Sequence, residues 1–231
     1  MLRKQPLVEG ETYHIYNRGA HKQRIFTNES DYFRFSLLLF LANSNEPLTL
    51  RDLFERYRGR SIKDIFESEK ISERLVDILA YSLMPNHFHL VIRQKEKDGI
   101  TIFMKKLATG YSMYFNTKYE HSGTLFQGRF KSSHIDTEEY FRYIFAYVHL
   151  NPLDIFQADW KTSGIKDKTG VLKFLTSYPY SSFVDYSKDI RPERCILSLN
   201  EIPDFLKSQN DLDELLQSTK NGPLYSGLTR V

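Results

Sequence analysis

Cysteine is almost absent from this chain of 231 residues, which carries a single one, Cys195. One cysteine excludes a disulfide within the chain and a cysteine-based zinc site. Long hydrophobic runs are also lacking, since no apolar stretch reaches the roughly 20 residues that a membrane-spanning helix needs. The first residues, MLRKQP, have no apolar segment behind their charges, so we expect no secretory signal, no membrane partner and a cytoplasmic location.

The chain has little excess of either charge, with a formal net charge of only +3. Its distribution is more informative, because residues 101–135 carry lysine and arginine against the single acidic residue Glu120, whereas acidic residues predominate over 185–217. Aromatic residues are interspersed among these cations, as expected for binding a polyanion with exposed bases. A solvated helix face above core aromatics would give the same pattern, so this evidence leaves both interpretations open.

The most informative stretch is the segment 78–93, ILAYSLMPNHFHLVIR. Two short apolar runs flank the turn residues Met84, Pro85 and Asn86, which predicts a β-hairpin. Successive side chains in a strand point to opposite faces, so His87 and His89 share one face. Two imidazoles on one face suit a divalent metal, but a third protein ligand must then come from elsewhere in the chain.

Hydrophobic periodicity and turn residues predict the order of the other elements. The expected elements are a strand over 11–17, a helix over 32–41, short helices over 50–57 and 62–67, the hairpin, a helix over 100–119, a strand over 132–135, and helices over 138–150, 171–175 and 203–218. This order predicts an α+β fold with an antiparallel sheet and helices packed on one face. We expect a catalytic domain over 1–153, with a helical insertion over 48–76, followed by a C-terminal extension over 154–231.

A stripe of polar and aromatic side chains lies on the predicted helix that ends before Pro152. Residues four apart share a helix face, so Tyr143, Tyr147 and Asn151 lie in one row. The Asn151 amide oxygen is a hard ligand suited to Mg²⁺ or Mn²⁺, and a tyrosine can attack phosphorus to form a covalent phosphotyrosine. Spacing alone does not choose between the two tyrosines, and aromatic residues on a helix also serve as core.

Several motifs in this order resemble the HUH single-tyrosine transposases of the insertion sequence 200-like superfamily, and most closely its REP-associated tyrosine transposase branch. The motifs are LMPNHFH over 83–89, GTLFQGRFK over 123–131 and YVHLNP over 147–152, preceded by YHIYNRG over 13–19. The resemblance covers roughly residues 11–152, with a weaker echo, YSSF, over 180–183.

This resemblance implies a ferredoxin-like fold with the histidine-bearing strand at its centre. It also implies a metal-dependent nuclease that nicks single-stranded DNA beside a hairpin and keeps the 5′-phosphate on a tyrosine. By motif, His87, His89 and Asn151 become the metal ligands and Tyr147 the nucleophile, with Tyr143 as the fallback. The expected cofactor is Mg²⁺ or Mn²⁺, and the protein is expected to be a monomer or a homodimer.

Two other functions stay open at this point. One is a domesticated module that binds DNA or RNA hairpins without cutting them, and the other is a nickase of the replication-initiator type. The expected DNA contacts are Arg18, Lys105, Arg129 and Lys131, which lie in turns or on the basic helix. The remaining histidines, including His14 and His149, are expected to be structural or surface residues, although His134 could lie near the metal.

Overall fold

The structure, a computed structural model, describes residues 6–46, 52, 55–68, 70–186, 191–204, 214–215 and 217. The central part of the chain has the order strand, two helices, two strands, helix, strand and helix. These elements are β1 (Thr12–Arg18), α1 (Glu29–Leu41), a short helix α2 (Ile62–Ser68), β2 (Val76–Met84), β3 (His87–Gln94), α3 (Gly99–Tyr119), β4 (Lys131–Ile135) and α4 (Glu138–Leu150).

The four strands form one antiparallel sheet in the order β2-β3-β1-β4. This is the strand order and connectivity of the ferredoxin-like βαββαβ unit. Strand β3, which carries both predicted metal ligands, lies between β2 and β1. The α+β class, the antiparallel sheet and the central position of the histidine strand are therefore confirmed.

Helices cover both faces of the sheet, so the prediction that they pack on one face is wrong. Helices α1 and α3 pack on the face formed by Ile15, Phe88 and Leu90, whereas α4 packs on the opposite face, against Ala80 and Val91. The reason lies in β2, VDILAYSLM, in which every residue is buried. A strand with apolar residues on both sides needs a packing layer on each.

Most predicted elements agree with the structure to within a few residues, and α4 has the predicted bounds. Half of the predicted helix over 50–57 and most of the one over 203–218 lie outside the described residues. No helix within the described ranges has both the length and the apolar character that a membrane crossing requires.

The chain beyond Leu153 packs directly on the same sheet. It contains the helices α5 (Leu153–Phe156), α6 (Trp160–Ser163), α7 (Lys168–Ser177) and α8 (Phe183–Tyr186) and short 3-10 turns over Pro192–Ile196 and Leu199–Glu201. Backbone N–H groups of Ser182 and Ser198 donate to carbonyls of β2, and the N–H of Leu83 donates to the carbonyl of Tyr180. The extension therefore covers the outer edge of β2, which would otherwise present unpaired backbone groups.

Candidate metal and nucleophile site

The two predicted metal ligands lie side by side on the face of β3 that α4 covers. Their ring centroids are 5.0 Å apart. His89 is fully buried and His87 is half-buried. Burial is the main reason that the pKa of His87 falls to about 4, and burial together with the charges of nearby groups lowers the pKa of His89 as well. Both imidazoles are therefore neutral at pH 7, the form that binds a metal ion.

Asn151, at the end of α4, lies beside His87, with its Oδ1 atom 3.2 Å from His87 Nε2. On its other side, the His87 ring has Nδ1 only 2.6 Å from Asn86 Oδ1. A neutral imidazole has one N–H group. When that group is on Nδ1 and donates to Asn86, Nε2 presents its lone pair beside the Asn151 oxygen, and a shared cation would stabilise this arrangement.

His89 has a polar atom without a partner. Its Nδ1 lies 2.9 Å from Nε2 of His14, a fully buried residue of β1. Its Nε2, by contrast, is buried and has no hydrogen-bond partner. An unpaired buried nitrogen is costly unless it binds something, and imidazole nitrogen is a common ligand of divalent metals. The residues present therefore fit a metal ion held by His87, His89 and Asn151.

Tyr147 lies against this group from α4. Its ring centroid is 5.3 Å from that of His89, and its phenol forms a hydrogen bond with the Asn151 side chain. Burial, which leaves 7% of the residue exposed, raises the pKa of the phenol, and the carboxylate of Asp154 raises it further. Tyr143 stacks on the outer side of the Tyr147 ring, with centroids 6.2 Å apart.

The predicted residues His87, His89, Asn151 and Tyr147 thus come together, although they lie on a hairpin and a helix far apart in the chain. Elsewhere in the described part of the chain, no group of three or more His, Cys, Asp or Glu side chains could hold a metal ion. The site described above is not such a group, because its third ligand would be an amide.

The four predicted DNA contacts are divided between the two sides of the sheet. Arg18 pairs with His87 in the strand register and lies on the site face, as does Lys131, whose Nζ atom is 5.8 Å from the Tyr16 ring. Arg129 is exposed in the loop before β4. Lys105 is exposed on α3, which packs on the opposite face, so the structure does not bring it to the site.

An open cavity of about 490 Å³ lies where β1 ends, and both polar and apolar side chains line it. Arg18, His21 and Lys22 line one part of it, and Gln127 and Gly128 from the loop before β4 line another. The Arg18 guanidinium donates a hydrogen bond to Gln127, which joins the two loops across this cavity. The cations Arg18 and Lys22 and the amide of Gln127 in its lining suit a phosphate or a nucleotide.

Sequence reasoning missed three residues at the site: His14, Asp154 and Lys161. His14 was expected to be structural or on the surface, but it is in direct contact with His89. His134, in contrast, lies beside Tyr13 on the opposite face of the sheet and contacts Glu11. Alternation along β1 predicts that His14 and Tyr13 point to opposite faces of the sheet. The sequence near His14 does not predict how β1 pairs with β3, and this pairing brings His14 into contact with His89.

Part of the chain matches the model of a known protein family. Residues 49–151, which include His87, His89, Tyr147 and Asn151, match the family model described as "Transposase IS200 like". This segment, which is less than half of the chain, is similar to the IS200-like transposases. The resemblance predicted above is confirmed over these residues, and the match includes most of the segment that was expected to be an insertion.

Two solved structures are similar to this chain. One is described as the REP-associated tyrosine transposase bound to a REP hairpin, with 12% identity, a TM-score of 0.46 and coverage of 88% of this chain and 92% of that one. The other is a putative transposase from Deinococcus radiodurans R1, with 15% identity, a TM-score of 0.34 and coverage of 64% and 95%. No curated protein matches the chain.

Proposed function

We propose that this protein is a metal-dependent endonuclease and strand transferase for single-stranded DNA, acting near DNA hairpins through a covalent 5′-phosphotyrosine on Tyr147. The observation that carries the proposal is the position of Asn151. Its side chain contacts Nε2 of the candidate ligand His87, at 3.2 Å, and hydrogen-bonds to the phenol of the candidate nucleophile. The candidate ligand and the candidate nucleophile therefore both contact the side chain of Asn151, which supports the proposal.

In the proposed step, the phenolic oxygen of Tyr147 attacks the scissile phosphorus. A P–O bond forms to the tyrosine as the bond between phosphorus and the 3′-oxygen breaks. The phenol loses its proton, and the leaving 3′-oxygen takes up a proton to become the 3′-OH. Strand transfer is the reverse reaction with another 3′-OH. The bond energy of the cleaved strand is kept in the phosphotyrosine.

His87, His89 and Asn151 would hold Mg²⁺ or Mn²⁺. When bound, the ion supplies Lewis-acid polarisation of the scissile phosphate, a contribution worth several kcal/mol in such sites. The chain itself orients the ligands: Asn86 orients His87, and His14 orients His89. The ring of Tyr147 packs edge-on against His89, with an interplanar angle of 83°, and this contact limits how the phenol can turn.

The phenol must become nucleophilic despite burial, which disfavours its ionised form. This burial is also the observation that favours the alternative function, a module that binds hairpins without cutting them. The predicted cytoplasmic location and the monomeric or dimeric state stay predictions, and so does a nickase of the replication-initiator type.

The test is incubation of the full chain with an end-labelled single-stranded oligonucleotide that contains a hairpin, with Mn²⁺ or with EDTA. We expect a covalent adduct, found as a shifted band on a denaturing gel and assigned by mass spectrometry to the peptide that carries Tyr147. Tyr147→Phe should abolish the adduct, and EDTA should prevent it.

The matched control is Tyr143→Phe, which alters the neighbouring phenol on the same helix face. It should leave the adduct in place. Adduct in Tyr147→Phe but not in Tyr143→Phe would move the nucleophile to Tyr143. Hairpin binding without an adduct under any divalent ion would support the binding module instead.

A further inference from the structure

The C-terminal extension places a cation beside the candidate nucleophile. Lys161, on α6, has its Nζ atom 5.6 Å from the centroid of the Tyr147 ring. The same ammonium lies 2.8 Å from Oδ2 of Asp154, and the other oxygen of Asp154 accepts a hydrogen bond of 2.7 Å from Trp160 Nε1. Asp154 thus fixes the lysine from one side, and the buried indole fixes the carboxylate.

The charges of Lys161 and Asp154 affect the pKa values of the candidate metal ligands. After burial, which dominates, the charge of Lys161 contributes to the lowered pKa values of His87 and His89. Asp154 acts on His87 and on the Tyr147 phenol. The ion pair is therefore electrically part of the site, although both residues lie beyond the matched segment 49–151.

A cation at this position can stabilise the scissile phosphate in addition to the metal ion. The three candidate ligands are neutral, whereas a phosphodiester carries one negative charge that becomes more concentrated as the phenol attacks. A lysine ammonium has three N–H donors, and the Lys161 side chain is 40% exposed, so it can donate to a substrate while it keeps its bond to Asp154.

We propose that Lys161 is a catalytic residue whose ammonium donates a hydrogen bond to a non-bridging oxygen of the scissile phosphate while Tyr147 attacks, with Asp154 as its positioning residue. This inference rests on the proposed nuclease function. It assigns to the extension a part in catalysis, since α6 supplies a group that the sheet and α4 do not.

The extension also contains a matched control. Lys166 forms an ion pair with Asp159 of the same length, 2.8 Å, and with the same sequence spacing as the pair of Lys161 and Asp154. The Lys166 side chain is 66% exposed. Neither of these two residues is among the main contributors to the pKa values of His87, His89 or Tyr147. Replacing Lys166 removes an equal charge from the extension without touching the site.

The experiment measures the single-turnover rate of adduct formation at saturating hairpin DNA, together with the Kd for the DNA and the melting temperature. We expect Lys161→Met to slow adduct formation about 100-fold, as the loss of one preorganised donor does in other enzymes. Lys166→Met should react like the wild type. Lys161→Arg, which restores the charge, should recover part of the rate.

The outcomes separate this inference from the proposed function. No adduct in the wild-type protein would overturn both. A wild-type adduct with equal rates in Lys161→Met and Lys166→Met would overturn only the role of Lys161. That role would also fail if Lys161→Arg were as slow as Lys161→Met. If Lys161→Met raised only the Kd for the DNA and left the rate at saturating DNA unchanged, Lys161 would be a binding residue only.

Discussion

Nε2 of His14 lies 2.9 Å from Nδ1 of His89, which joins two fully buried imidazoles from neighbouring strands. Burial lowers the pKa of His14 to about 3, so this ring is neutral and can accept a hydrogen bond from His89. With its proton on Nδ1, His89 presents the lone pair of Nε2 to the site. His14 is therefore placed to orient the ring of His89, a candidate metal ligand.

We predict that His14→Gln weakens Mn²⁺ binding by about 10- to 100-fold, the usual effect of removing the hydrogen-bond partner of a ligating histidine. The measurement is calorimetric titration of the full chain with Mn²⁺. His149→Gln is the control, since His149 is also buried and bonded, at 2.8 Å, but to the hydroxyl of Ser182. Unchanged Mn²⁺ affinity in His14→Gln would contradict the proposed role.

The second prediction concerns acid stability and Asp31, a fully buried carboxylate near the start of α1. Burial by itself would raise the pKa of Asp31, but hydrogen bonds from Lys118, Thr27 and Tyr119 together bring it down to about 2. Because the folded-state pKa lies below the unfolded value, the stabilisation is present above about pH 4 and is lost as the pH falls towards 2.

Asp31→Asn should therefore cost about 2 kcal/mol at pH 7, and the difference from the wild type should shrink in strong acid. Urea unfolding followed by circular dichroism between pH 7 and pH 2 measures this. Asp136→Asn, at an exposed position before α4, should stay within about 0.5 kcal/mol of the wild type throughout. A pH-independent loss in Asp31→Asn would show that packing, not ionisation, is what matters.

A third prediction separates the two faces of the sheet by their salt dependence. If DNA lies on the face of His87, Arg18→Gln should weaken binding and reduce the slope of log K against log salt by about 0.7 to 1, the loss of one phosphate contact. Lys105→Gln removes a charge on the opposite side and should leave the slope unchanged. Fluorescence anisotropy with a labelled hairpin between about 50 and 200 mM salt provides the measurement. The reverse result would place DNA on α3.

The fourth prediction tests how the extension is anchored. Arg191 bonds to both oxygens of the buried Asp185, at 2.7 and 2.8 Å, and to the hydroxyl of Tyr81 on β2 at 2.8 Å. Arg191→Met would leave a buried carboxylate without its partner, so we expect a loss of about 3 to 5 kcal/mol in the free energy of unfolding.

Arg142→Gln, which removes a surface ion pair with Glu138, should cost less than about 1 kcal/mol. In the double variant Arg191→Met with Asp185→Asn, part of the loss should be recovered, because the unpaired charge is gone. Denaturant unfolding of these three variants and of Asp185→Asn alone checks this. Additive losses would show that the two side chains do not act as a pair.

Local signals were sufficient for most elements of the fold. Two short apolar runs around the turn at Pro85 and Asn86 predict the hairpin, and the acidic start and proline end of α4 predict its bounds. The packing of helices on both faces was not predicted, because the sequence of a helix does not show on which face of the sheet it packs. Contacts between residues far apart in the chain determine this face.

The sequence by itself determined that His87 shares a strand face with His89, and that Tyr147 shares a helix stripe with Asn151. These relationships follow from the periods of the strand and the helix, which are local properties of the backbone. Only the tertiary structure decided that α4 covers the histidine face, that His14 contacts His89, and that the extension brings Lys161 to Tyr147. Strand register and helix packing depend on distant contacts, so no stretch of sequence determines them alone.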